Sequence, residues 1–115
     1  MFDFEKLTVY QTAQSFHLSI TKFLADTRYM DKSAKDQLKR AALSIILNIA
    51  EGTSRFSKRD RRNFYVIARG SAFECAAIFD LLKGEKFIAP SLYQQLYGTC
   101  EDISKMLFTM IKKLD

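Results

Sequence analysis

A chain of 115 residues, 48% of them apolar and ten of them Phe, is long enough to bury a core as a single domain spanning residues 1–115. Two cysteines make no disulfide scaffold, no apolar run is long enough to cross a bilayer, and no secretory signal opens the sequence. The expectation is a cytoplasmic protein, reduced and independent of membranes. The net charge of +5 is unevenly spread: residues 1–27 carry two Lys against three acids, residues 28–62 ten Lys or Arg against four, and residues 63–115 six of each. A basic segment this concentrated is an electrostatic footprint for a polyanion, although a solvated helix face has the same composition.

The first predicted helix runs from about Phe4 to Asp26, with Val9, Ala13, Phe16, Ile20, Phe23 and Leu24 repeating at three and four residues. His17 flanks this stripe with no ligating partner at metal-binding spacing, which favours a packed or edge role. Ser33 with Asp36 reads as a capping box opening the second helix, which Gly52 ends or kinks. Ser57 with Asp60 reads as a second capping box. The third helix then reaches about Lys83, with Phe64, Ile67, Ala68, Ser71, Cys75, Ile78 and Leu82 toward the core, and Gly84 ends it. Pro90 suits the first turn of a fourth helix lined by Leu92, Leu96, Cys100, Ile103, Leu107, Met110 and Leu114. Cys75 and Cys100 therefore read as small buried hydrophobes. The fold class is all-α, a four-helix up-and-down antiparallel bundle.

The second helix is the unusual one. Leu38, Ala41, Ala42, Ile45 and Ile49 form a core stripe, while Leu43, Leu47 and Ala50 form a second apolar side with Ile46 between. Only Arg40, Ser44, Asn48 and Glu51 keep a polar strip. A helix so apolar around its circumference is surrounded inside the domain or buried again between subunits, and a bundle this small favours the second.

The segments Gln37-Leu38-Lys39-Arg40-Ala41-Ala42, Ser44-Ile45, Asn48-Ile49-Ala50-Glu51-Gly52 and Arg55 resemble the signature of the bacterial four helix bundle family. Its members are encoded within intervening sequences of 23S ribosomal RNA genes, and many carry a ribosomal-protein name. Ala68-x-Gly70-Ser71-x-x-Glu74 and Val9-Tyr10-Gln11-x-Ala13-x-x-Phe16 are similar to further family segments. Two positions depart from the pattern: Ile46 stands where Pro is common, and Tyr29-Met30 where Phe-Pro is common. The resemblance implies a homopentamer with no established catalytic activity. A related protein accompanies the reverse transcriptase of diversity-generating retroelements, which extends the expectation by analogy to a polymerase-type partner and to nucleic acid.

Three groups of residues are candidates for function. Lys58, Arg62 and Arg69 share one face of the third helix with Tyr65 close by, Arg59 and Arg61 flank it, and Arg55 precedes it. These guanidinium and ammonium groups suit phosphate contacts, to RNA in preference to DNA and without base-specific readout. Arg40, Asn48, Glu51, Ser71 and Glu74 are expected to form a polar network fixing helix register or a subunit contact, because buried carboxylates need donors. Reading Glu51 and Glu74 instead as an acid/base pair lacks an accompanying nucleophile, metal cluster or phosphate loop. Leu43, Leu47, Phe73, Ala76 and Phe79 are the expected oligomer interface or, in the alternative reading, an adaptor surface for a protein partner. No cofactor, metal or small-molecule substrate is expected.

Overall fold

The computed structural model describes residues 1–115 as four helices, α1 (Thr8–Asp26), α2 (Lys32–Ser54), α3 (Lys58–Gly84) and α4 (Pro90–Lys113), preceded by a 3-10 turn at Asp3–Lys6. Short links force consecutive helices to run antiparallel. α1 and α3 each run alongside both α2 and α4 and face each other across the diagonal, so the helices form a four-sided bundle measuring 44 × 25 × 22 Å.

The helix starts follow from local chemistry. Ser57 Oγ accepts from the Asp60 N–H at 3.1 Å and caps α3 as expected, without the reciprocal Asp60 bond of the expected capping box. α2 opens differently from the sequence expectation. Its cap is Asp31, whose carboxylate accepts from the Ala34 N–H at 3.3 Å, which leaves Ser33 inside the first turn. Two side chains within one turn compete to cap the same helix start, and the charged acceptor two residues earlier does so. The first helix also begins later than expected, because Leu7 is extended and separates the 3-10 turn from α1. Gly52 neither ends nor kinks α2, which continues to Ser54. The helix likewise runs unbroken through Ile46, where the resembling family has Pro.

The core follows the expected stripes on α1 and α2, where all six and all five residues are buried. α4 buries Leu96, Cys100, Ile103 and Leu107 as expected and Ile111 besides, while Leu92, Met110 and Leu114 are only half-buried at its edge. On α3 the buried stripe is Tyr65, Ala68, Ser71, Ala72, Cys75, Phe79 and Leu82, turned toward α4 relative to the expected one. Ile67 is exposed, and Phe64 and Ile78 are only half-buried. Close approach of α2 explains the turn: Gly52 and the small Ser44 leave room on that side for only Ser71 and the Tyr65 ring. The larger Phe79 points inward instead and meets Phe16 edge-on at 6.1 Å.

Cys75 and Cys100 are buried and unlinked. Burial pushes the Cys100 thiol up to about 12 and Cys75 higher still, where the neighbouring Cys100 and Glu74 add to the effect. Unfolding exposes thiols of ordinary acidity, so the unfolded state loses protons that the folded state keeps. The thiols' contribution to stability is therefore constant below about pH 8.5 and falls above it by about 1.4 kcal/mol per pH unit for each cysteine. Urea titrations at pH 7.5 and 10 read this difference, and Cys75→Ala/Cys100→Ala is expected to flatten it.

Candidate nucleic-acid interface

The cations gather where α2 hands over to α3. Three residues, Arg55 to Ser57, connect the helices, and the Ser57 cap takes the Asp60 N–H and leaves the first-turn N–H groups of Lys58 and Arg59 without a partner. Around this turn the six candidate cations separate by their partners. Arg55 donates to Glu51 Oε2 at 2.9 Å and lies 4.7 Å over the Phe64 ring. Arg62 Nε sits 3.3 Å from Asp115 Oδ1. Arg61 Nε donates to the Arg55 carbonyl at 2.6 Å and so keeps its charge uncompensated. Lys58 and Arg59 are exposed and face no carboxylate within ion-pair distance.

Arg69 lies two turns further along and belongs to the α3–α4 seam. Its guanidinium stacks between Phe73 at 4.7 Å and Phe108 at 5.6 Å, with Nε enclosed and unpartnered. Lys112 covers Phe108 at 5.8 Å. The structure thus brings Arg55, Lys58, Arg59, Arg61 and Arg62 together and holds Arg69 apart from them. Tyr65 is not beside the cations but in the core, its hydroxyl 2.8 Å from Thr53 Oγ1. An aromatic that the sequence reading passed over, Phe56, stands fully exposed among the cations. Its signal was available: one large apolar side chain between two helix signals, with Arg on one side and a cap on the other.

The expected polar network divides into three pieces. Ser71 Oγ donates to Ser44 Oγ at 2.8 Å, and Asn48 Nδ2 donates to Ser44 Oγ at 3.0 Å and to its carbonyl at 2.8 Å. Ser44, the hub, was read only as part of a polar strip. Glu51 is paired with Arg55, Glu74 accepts from Gln37 Nε2, and Arg40 is exposed and takes part in none of these bonds. Gln37 and Glu51 are fourteen residues apart on α2, about 21 Å at helical rise, so Glu74 and Glu51 do not form a carboxylate pair. Each carboxylate lies at the surface beside its own donor, which removes the burial cost that would have drawn them into one cluster.

Of the candidate interface residues, Leu43, Leu47 and Phe73 are exposed and Ala76 is half-buried. Phe79 is fully buried and belongs to the core. Val66, Ile67 and Leu81 extend the outer apolar face of α3 instead. No helix is long and apolar enough to cross a membrane.

A family model described as 23S rRNA-intervening sequence protein matches residues 5–109. The chain belongs to that family. A solved structure of a protein of unknown function from the S23 ribosomal protein family of Bacteroides thetaiotaomicron VPI-5482 is similar to it, with a TM-score of 0.85 and 27% identity. The similarity covers 91% of this chain and 99% of the other. No curated protein matches. The family match takes in α1 to α3, α4 as far as Thr109, and every candidate cation, so the basic turn and nearly all of the bundle lie within the family region.

Proposed function

We propose that this member of the 23S rRNA-intervening sequence protein family is a non-enzymatic, cytoplasmic homo-oligomer, a homopentamer as the sequence resemblance implies. It binds structured RNA, and DNA more weakly, with low sequence specificity. The observation that carries the reading is the α2–α3 turn, where Lys58, Arg59 and Arg61 hold positive charge with no carboxylate partner beside the N-terminus of α3. Placing cations at the positive end of a helix dipole is unfavourable within the fold, and an external polyanion reverses the sign of that cost. Repetition around a ring would multiply the field. No base-reading arrangement accompanies the cations, so phosphate contacts dominate.

The test is RNA and DNA binding over a salt series, on protein whose assembly state is established by light scattering. Counterion release makes log affinity fall linearly with log salt. Lys58→Ala/Arg59→Ala/Arg61→Ala is expected to make the slope shallower by about 2 for single-stranded RNA, three lost contacts at about 0.7 each. Identical lines for both proteins, or no binding at low salt, overturn the reading.

A second reading rests on a different observation, the outward apolar residues Val66, Ile67, Phe73 and Leu81 of α3 with Leu43 and Leu47 of α2. In that reading these faces recruit a polymerase-type protein, and the interaction survives salt.

A further inference from the structure

Phe56 is the most exposed large apolar side chain of the molecule, and its exposure is built in. The link holding it is three residues long, too short to fold the ring back onto the bundle. Arg55 and Ser57 on either side are both extended, with ψ of 147° and 146°. The Arg55 N–H donates to the Gly52 carbonyl at 3.2 Å, and the Arg55 carbonyl accepts from Arg61. The one guanidinium adjacent in sequence is already stacked on Phe64 and paired with Glu51, so Phe56 has no cation–π partner of its own. A phenyl group pinned in water gives up the burial free energy that core aromatics gain, which only an external partner returns.

The surroundings select that partner. Residues 55–62 hold five cations and one acid. A second apolar surface would have to desolvate Lys58 and Arg59 as the ring entered, a cost with nothing to offset it, and a lipid headgroup layer would accept the cations but offer the ring no flat π face. An unpaired nucleotide satisfies both demands, because its base offers a π face and its phosphates accept from the cations and from the free N–H groups of the first turn of α3. We propose that Phe56 is a base-stacking finger for unpaired nucleotides, receiving a splayed base from a loop, bulge or single strand. This rests on the nucleic-acid reading above and adds to it a preference for unpaired over duplex regions, set by one side chain.

The probe is an RNA hairpin carrying 2-aminopurine either in its loop or in its stem, with a blunt duplex of the same length as reference. Phe56→Ala is expected to weaken loop-RNA binding by about 5- to 150-fold. It leaves duplex affinity and the salt slope unchanged, because no charge is lost. Phe56→Trp is expected to restore loop binding, with its indole emission quenched by the RNA. Equal loop-RNA affinity for wild type and Phe56→Ala, with the wild-type salt slope intact, sinks the finger and leaves the phosphate-binding reading standing. No RNA binding by wild type sinks both. A change of assembly state in Phe56→Ala, or loss of binding to anionic vesicles with loop-RNA affinity preserved, assigns the ring to a second copy or to a lipid surface and likewise overturns the proposal.

Discussion

Phe79→Ala is expected to lower the stability of the chain by about 3–5 kcal/mol, a large share of what a domain of this size possesses. Phe79 has no exposed surface and packs against the Phe16 ring, so truncation removes aromatic contact and leaves a cavity that four packed helices close only in part. Phe73, six residues earlier on α3, is 55% exposed, with the Arg69 guanidinium over its ring at 4.7 Å. Phe73→Ala is expected to cost under about 1 kcal/mol. Urea denaturation of the two variants side by side checks the assignment of α3 faces, and equal losses would place the core stripe elsewhere. The contrast also decides how the outer face is probed: Phe79→Asp would unfold the bundle, so Phe73→Asp is the substitution that tests partner capture.

Gly52→Ala carries the second large effect, and its sign is opposite to helix propensity. Alanine inside a helix is ordinarily favoured over glycine by about 1 kcal/mol. At Gly52, however, a Cβ would stand 2.8 Å from Tyr65 Cε1 and 3.0 Å from Phe64 Cβ. The second of these atoms is fixed to the α3 backbone and does not swing away. Accommodating the methyl separates the end of α2 from the start of α3, strains the Thr53–Tyr65 hydrogen bond, and leaves a net loss of about 1–2 kcal/mol. Gly98→Ala is the control, since a Cβ there meets nothing within 4 Å, and this variant is expected to gain about 0.5–1 kcal/mol. Opposite shifts of the thermal midpoint in these two variants are the expected result. A stabilised Gly52→Ala would show that the helices separate more readily than their packing implies.

What was legible in the sequence depended on how one-sided each helix is. α1 has a single apolar stripe between polar flanks, so its six core residues could be read directly. α3 is apolar on its outer side as well, at Val66, Ile67, Phe73 and Leu81, and periodicity alone had no means of choosing which arc faces inward. The choice is made by the neighbour, because small residues on α2 fix how near α3 comes and hence which side chains fit. The site was legible in kind but not in pairing. The run of cations is plain in the sequence, whereas the Arg62–Asp115 ion pair joins the middle of the chain to its last residue, which only the antiparallel fold brings together. The aromatic beside the cations is Phe56 and not Tyr65 for a similar reason: the ring under Gly52 is captured by the core, and the ring in the three-residue link stays outside it.

The Arg62–Asp115 contact also fixes the direction in which the molecule can be extended. Asp115 lies against the first turns of α3, and the 3-10 turn at Asp3–Lys6 packs against α1 and α2, so both termini emerge at the end of the bundle that carries the α2–α3 turn. A domain fused at either terminus is delivered beside Phe56, Lys58 and Arg59, where it shields them or shares whatever they hold. The links at residues 27–31 and 85–89 lie at the far end, and a cargo inserted there keeps its distance from the cationic turn. The bundle is in this sense two-ended, with its termini and its charged edge on one side and the two other links on the other.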